Sequence, residues 1–172
     1  MSKSTGARKT WIIVAALVGV AAYVYLSTPT INEQPLPEVV AQNFHEDEVN
    51  YILNFTASWC QACQKEHKYV QDIAKIYDIK IYAVLVNDDM VNMDTFLEAN
   101  GNPYTKVFAD WPITRADNRG IEAIPELIVV RHNKMVYKGY GMNAYIMQHE
   151  LIPLLDVMHV ESKEEDGSTI AD

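Results

Sequence analysis

Cys60 and Cys63 are the only two cysteines in this chain of 172 residues. The apolar pattern after Cys60 predicts a helix, so the pair lies at a helix start, where unpaired N–H groups and the helix dipole stabilise a thiolate. Cys60 is then the exposed nucleophile, and Cys63, nearly one turn further on, can attack a mixed disulfide formed on Cys60. The spacing therefore favours thiol–disulfide exchange.

Two other interpretations of the cysteine pair stay open. A structural disulfide between Cys60 and Cys63 would close a very small loop and add little chain-entropy stabilisation. A metal site could use His67 as a third ligand, but the chain has no second cysteine pair and no spaced histidine pair to complete it.

The elements that must hold the pair follow from the hydrophobic patterns around it. The predicted elements are strands at Tyr51–Thr56 and Lys80–Val86, helices at Gln61–Tyr77 and Val91–Ala99, a short strand at Thr105–Phe108, a hairpin of Leu127–Val130 and Met135–Tyr140, and a last helix capped by Asn143 and kinked or shortened at Pro153. This order predicts an α/β fold with a mixed sheet, in which one strand-to-helix turn carries the cysteines.

Composition divides the rest of the chain into segments. Residues 1–28 start with basic side chains and continue into an uncharged run at 11–26, which we interpret as an uncleaved signal-anchor helix rather than a cleaved signal peptide. The proline-containing stretch 29–37 predicts an extended linker, and 38–160 the folded domain. Residues 161–172, with five acids against one lysine, predict a disordered tail.

The overall charge excludes one class of partner. The chain has 14 basic and 23 acidic side chains, a formal net charge of −9 at pH 7. A nucleic-acid-binding protein needs a basic face to neutralise phosphates, so we expect no nucleic-acid partner. We also expect no cofactor, because the redox-active group is the Cys60–Cys63 disulfide itself.

The segment LNFTASWCQAC, followed about sixty residues later by Ile124–Pro125–Glu126, resembles the thioredoxin superfamily. The EH after CQACQK, the GNPY at Gly101–Tyr104 and the glycine-to-PE stretch at 120–126 are similar to the membrane-anchored CcmG/DsbE reductases of cytochrome c maturation, which have ResA and TlpA as relatives. The resemblance covers about residues 50–155. It implies a thioredoxin-like fold behind an N-terminal transmembrane helix.

The resemblance also implies roles for individual residues. Cys60 matches the attacking cysteine and Cys63 the resolving cysteine. Pro125 matches a cis-proline that lies against the pair and turns the backbone of Ile124 towards an incoming chain. Glu126 matches an acidic active-site residue, the alternative being a charge at a strand edge.

Further matches surround the predicted helix. Glu66 matches a glutamate near the active site and lies on the same helix side as Cys63, which suits proton transfer; the alternative is a solvent-facing residue. Asn54 stands where ordinary thioredoxins keep a buried aspartate, which makes the role of Glu66 more necessary. Trp59 is predicted to form a wall of the active site that contacts substrate and to be a packing residue as well. His67 is predicted to be a helix-face histidine rather than a catalyst.

Three departures from the family pattern concern the client surface. The stretch before Tyr51 is shorter than the family's N-terminal portion, which has an additional hairpin. Glu122 stands where relatives often have an aromatic residue. Met142 stands about where relatives carry an acid.

The residues and the resemblance together predict an exported, membrane-anchored thiol–disulfide oxidoreductase. The resemblance implies a single-pass protein of the bacterial inner membrane with its catalytic domain in the periplasm. Its partners would be apocytochrome c or cytochrome c maturation proteins, and a membrane electron donor of the DsbD/CcdA type. The alternatives are a general periplasmic reductase or oxidase, and a tethered chaperone or metallochaperone that uses the two cysteines as ligands.

Overall fold

The computed structural model describes residues 14, 31–44, 46–47, 49–109 and 121–165, with only the backbone for 160–165. Apart from Val14, the described residues belong to one compact unit that begins at Ile31. Its elements are α1 (Glu38–Asn43), β1 (Tyr51–Thr56), α2 (Gln61–Ile76), β2 (Lys80–Leu85), α3 (Met90–Asn100), β3 (Lys106–Phe108), β4 (Glu126–Arg131), β5 (Lys134–Tyr140), α4 (Ala144–Ile146), a π-helical turn (Met147–Leu151) and α5 (Ile152–Glu165).

The five strands form one mixed sheet in the order β3-β2-β1-β4-β5. β1, β2 and β3 run parallel, whereas β4 lies antiparallel to β1 and β5 antiparallel to β4. The predicted mixed α/β sheet is therefore confirmed, with β1 in its centre. β2 lies beside β1, and β3 lies beyond β2 on the same side of β1. Right-handed crossovers in this order place α2 and α3 on the same face of the sheet.

Each face of the sheet has its own hydrophobic core, because side chains alternate along a strand. On the face of α2, inward side chains of β1 and β4 pack with α2 and the C-terminal helix; they include Ile52, Leu127, Val129, Val70, Ile73, Leu151 and Leu155. On the other face, the alternate strand residues pack with α1; they include Leu53, Phe55, Ile128, Val130, Val39 and Val40. The cysteine-bearing turn lies where β1 leaves these cores.

The segment that precedes β1 is attached to the sheet. Gln34 and Met135 exchange two backbone hydrogen bonds, of 2.8 and 2.9 Å, and Arg131 donates to Glu33 over 2.8 Å. This part of the predicted 29–37 linker therefore lies against β5 instead of forming a free spacer. The sequence did not predict α1, because a six-residue helix with no side-chain cap is too short to show a helical period.

Within the described parts of the chain, no helix has the length and apolar character needed to cross a membrane. The predicted signal anchor at 11–26 lies outside the described residues, except for Val14.

The C-terminal helix changes its winding before Pro153. In the π-helical turn, the N–H of Ile152 donates to the carbonyl of Met147, five residues earlier. Pro153 cannot donate and its ring crowds the preceding turn, so a wider turn at this point accommodates it without ending the helix. The predicted kink takes this form.

The helix also continues to Glu165, into the segment predicted as a disordered tail. Glutamate and lysine have favourable helix propensities, so the helix extends past its packed portion. Residues 166–172 lie outside the described residues.

The cap of this C-terminal helix gives a first prediction. The Asn143 side chain accepts hydrogen bonds from the N–H groups of Tyr145 and Ile146, at 2.9 and 3.1 Å. We expect Asn143→Ala to lower the free energy of unfolding in urea by about 1 kcal/mol, the usual cost of a lost N-cap. The exposed Gln148→Ala on the same helix is the control; an equal loss in both variants would contradict the capping role.

Candidate active site

The cysteine pair lies at the start of α2. Cys60 is the N-cap residue, and the N–H of Cys63 points at the Cys60 sulfur over 3.2 Å. The two side chains form a disulfide. A partial positive charge from the helix N-terminus and a direct N–H donor therefore both act on the Cys60 sulfur, and they stabilise its thiolate when the pair is reduced.

The expectation that Cys60 is exposed is wrong for this oxidised form. Cys60 and Cys63 are 8% and 5% exposed, because Ala57 and Ile124 pack with them in one small cluster. The Ile124–Pro125 peptide bond is cis, as the resemblance implies, and the Pro125 carbonyl accepts a hydrogen bond from Gly141. The loop before β4 thus lies against the disulfide.

The loop after β2 also binds the turn that carries the cysteines. The Asp88 carboxylate accepts the N–H of Ser58 over 2.5 Å, and the Asn87 carbonyl accepts the indole N–H of Trp59 over 2.9 Å. Trp59 is 53% exposed, so its ring is fixed at one edge while a large apolar surface stays in solvent. No sequence pattern predicted this role of Asp88, because it lies thirty positions from Ser58.

Glu66 is a buried carboxylate one turn after Cys63. It is 2% exposed, which rules out the solvent-facing alternative. Its Oε1 accepts from the Asn54 side-chain amide over 2.8 Å, and its Oε2 from the Met142 N–H over 2.6 Å. Burial raises the pKa of Glu66, while these two donors oppose the rise.

Tyr104, which was not predicted as a site residue, and His67, which was predicted not to be a catalyst, complete this environment. The Tyr104 hydroxyl donates to the Asn54 side-chain oxygen over 2.9 Å. His67 is buried, lies edge-on against Phe96, and donates its Nε2 proton to the Gly101 carbonyl over 2.9 Å. His67 thus anchors the GNPY loop to α2, in agreement with its predicted structural role. The signal for Tyr104 was the GNPY motif itself.

Glu126 is a second buried carboxylate, on the opposite face of the sheet. Leu127, the next residue of β4, pairs with Asn54 of β1 and belongs to the core on the α2 face. Glu126 pairs with Phe55, which belongs to the core on the other face. Glu126 is completely buried, so the strand-edge alternative is wrong.

The charges around Glu126 are only partly compensated. Its Oε2 accepts the N–H of Glu122 over 3.2 Å, and its Oε1 lies 3.7 Å from the Lys138 ammonium without a hydrogen bond. Lys138 also lies 3.6 Å from the exposed carboxylate of Glu122. Burial raises the pKa of Glu126, and the Glu122 charge adds to the rise, while the Glu122 N–H, Lys138 and a side-chain hydrogen bond with Tyr140 lower it. The structure thus brings Glu122 to Glu126, and the backbone of Met142 to Glu66.

Known proteins were compared with the whole chain. No protein-family model matches it. It is 30% identical over 115 residues to the thiol:disulfide interchange protein DsbE of Vibrio cholerae, covering 66% of this chain and 62% of the relative. It is 32% identical over 107 residues to the thiol:disulfide interchange protein CycY of Rhizobium leguminosarum, covering 61% and 58%. The chain thus spans about three fifths of the length of these curated relatives.

Solved structures agree on the fold. A crystal structure of a secreted disulfide oxidoreductase of Mycobacterium tuberculosis, described as homologous to DsbE of Escherichia coli, is 20% identical with a TM-score of 0.51. The match covers 63% of this chain and 81% of that one. The sheet, the cysteine turn and the cis-proline define a thioredoxin-like protein with a Cys-x-x-Cys site. Within that class, the comparisons show a fold of the DsbE type.

The buried Glu126 gives a prediction about pH. Its raised pKa means that the native state holds a proton more tightly than the unfolded state. The free energy of unfolding therefore falls as pH rises from the ordinary glutamate pKa through the raised native pKa. We expect Glu126→Gln to make this fall shallower in urea unfolding measured across the acidic range.

Glu98→Gln, at an exposed site on α3, is the control for this change. A Glu126→Gln profile that is parallel to the wild-type profile would contradict the assignment.

Proposed function

We propose that this chain is a thiol–disulfide oxidoreductase that passes two electrons from a Cys60–Cys63 dithiol to a disulfide of a client protein. The observation that carries the proposal is the Cys63 N–H aimed at the Cys60 sulfur, at a helix N-terminus and against the cis-proline loop. The names of the relatives, thiol:disulfide interchange proteins, support the same chemistry.

The reaction has two exchange steps that balance. First, the Cys60 thiolate attacks one client sulfur, a mixed disulfide forms, and the other client sulfur leaves as a thiolate that takes up a proton. Next, the Cys63 thiol loses its proton and attacks Cys60, and the second client sulfur leaves and is protonated. The products are the Cys60–Cys63 disulfide and a client dithiol.

The two buried acids have different roles in this scheme. Glu66 lies one helical turn from Cys63, where it can take the thiol proton before the second attack. The pKa of Glu66 is raised by burial, which suits a group that must bind and release a proton. We assign Glu126, on the other sheet face beside Pro125, an electrostatic role: negative charge near the cysteines disfavours their thiolates and tunes the reducing power.

The surface around the site suits a protein client. The exposed Trp59 ring and the backbone of Ile124 flank the disulfide, and both offer contacts to an extended chain. We propose apocytochrome c, or a protein that handles it, as the client, because haem attachment needs free thiols in a compartment that oxidises them. This client rests on the resemblance of the sequence to the CcmG/DsbE family.

The same resemblance supports the proposed location. An uncharged run at 11–26 behind basic residues is consistent with an inner-membrane anchor and a periplasmic catalytic domain. In that location the oxidised pair would be reset by a membrane-embedded dithiol donor of the DsbD/CcdA type. No bound cofactor enters this scheme, since the two sulfurs carry the electrons.

Trapping tests the exchange step. We expect reduced Cys63→Ser to accumulate a mixed disulfide between Cys60 and a peptide with an oxidised Cys-x-x-Cys-His motif, because the protein thiol that resolves this intermediate is missing. Intact-mass spectrometry measures the adduct. Cys60→Ser is the matched control and should trap at least tenfold less, since it lacks the attacking thiolate. Absence of an adduct with Cys63→Ser would overturn the proposal.

Two further measurements separate the related functions. Equal trapping of a disulfide peptide without the haem-attachment motif would indicate a general exchange protein. A reduction potential of about −120 mV, the value of the strong oxidant DsbA, would contradict the proposal that electrons pass from this protein to its client.

A further inference from the structure

A chain of hydrogen bonds joins Tyr104 to the carboxylate beside Cys63. The Tyr104 hydroxyl donates to the Asn54 oxygen over 2.9 Å, and the Asn54 nitrogen donates to Glu66 over 2.8 Å. The Met142 N–H donates to the second Glu66 oxygen over 2.6 Å. The four groups come from the loop after α3, β1, α2 and the loop after β5, so folding alone brings them together.

The direction of this chain depends on the orientation of one amide. The Asn54 amide can present either its NH2 or its oxygen to Glu66, since the two ends have nearly the same shape. An ionised carboxylate accepts only, so it is stabilised by the NH2 and repelled by the oxygen. In the structure the Tyr104 hydroxyl donates to the Asn54 oxygen, and this hydrogen bond stabilises the orientation in which the NH2 faces Glu66.

We propose that Tyr104 is a positioning residue for the redox reaction: its hydroxyl holds the Asn54 amide so that Glu66 receives an N–H. This inference rests on the proposed function in treating Glu66 as the proton carrier of the cysteine pair. Without the hydroxyl, the amide can turn and present its oxygen, an arrangement that is favourable only when Glu66 carries a proton. Loss of the hydroxyl therefore favours the protonated acid.

The Tyr104 ring is held independently of its hydroxyl. The Tyr104 N–H donates to the Asn102 side chain over 2.9 Å, and His67 binds the Gly101 carbonyl and lies 6.1 Å from the Tyr104 ring. Gly101 takes a positive φ of 89°, which suits the glycine that ends α3. Replacement of Tyr104 by phenylalanine should therefore keep the loop in place while it removes the donor.

The other titratable groups around Glu66 stay neutral near neutral pH. Burial and the nearby Glu66 charge raise the pKa of Tyr104, while a side-chain hydrogen bond with Thr56 lowers it; the net rise keeps the hydroxyl a donor. Burial, Glu150 and Glu66 raise the pKa of Tyr137, which lines a small cavity beside Glu66 together with Tyr140. Burial also raises the pKa of Tyr140.

Two groups on α2 flank Glu66. Burial lowers the pKa of His67, while its hydrogen bond to the Gly101 carbonyl opposes this shift. Cys63 lies one turn earlier and is locked in the disulfide in the oxidised protein. In that form, a titration of Glu66 reports on its own donors.

The experiment uses the oxidised full chain with carbon-13 in the glutamate carboxyl groups, and the Glu66 signal is assigned by its loss in Glu66→Gln. We expect Tyr104→Phe to raise the titration midpoint of Glu66 by about one pH unit, the size of one hydrogen bond to a charged group. Tyr145→Phe removes the hydroxyl of an exposed tyrosine on α4 and should leave the midpoint unchanged. A midpoint in Tyr104→Phe equal to that of the wild type would overturn the inference.

A double-mutant cycle separates positioning from general structural damage. Asn54→Leu removes the amide and should itself raise the midpoint of Glu66. If Tyr104 acts through Asn54, Tyr104→Phe adds no further rise in the Asn54→Leu background. Additive rises would overturn the inference, even if one single variant were unstable.

The reduction of a disulfide peptide by the reduced proteins, measured against pH, is the second readout. We expect the acidic limb of the rate profile to move upward in Tyr104→Phe by the same interval as the carboxyl titration. If the wild type reduces no disulfide, the proposed function fails, while the carboxyl titration still decides the role of Tyr104. If the wild type is active and neither limb nor midpoint moves, only the role of Tyr104 fails.

Discussion

A carboxylate that is buried away from water needs hydrogen-bond donors from the protein. For Glu66, this constraint determines how the elements around the cysteine pair are arranged. Glu66 is supplied by an amide from β1 and a backbone N–H from the loop after β5, so helix, sheet and hairpin must all close correctly around it. That closure also brings the cis-Pro125 loop onto the disulfide, since the N–H of Gly141, next to Met142, bonds the Pro125 carbonyl. Site chemistry and fold are therefore satisfied by the same contacts.

The sheet separates the two buried acids into different environments. Glu66 has a donor on each oxygen and belongs to the α2 face, whereas Glu126 accepts one backbone N–H over 3.2 Å and interacts with Tyr140 and with a lysine that it shares with Glu122. The first arrangement favours a defined geometry for a single proton. The second leaves a charge that depends on an exposed neighbour, so a client that covers Glu122 would change the field at Glu126.

Long elements with a clear hydrophobic period were predictable from the sequence, and β1, α2 and β2 end within a residue or two of expectation. The spacing of the two cysteines predicted the site, because both residues lie within one helical turn of the sequence. Burial of Glu66 and its link to Tyr104 were not predictable, since the partners lie up to 76 positions apart and their meeting depends on packing. The short helix α1 and the Asp88 contact left no periodic signal at all.

The two edges of the sheet bear on the proposed exchange with client proteins. An unpaired strand edge invites association with another chain. Here β3 has only three residues, and β5 begins under the Gln34 bridge and carries lysines at 134 and 138. Neither edge offers a long apolar template, so the folded domain resists strand-to-strand association with any chain that the proposed reaction would bring to it.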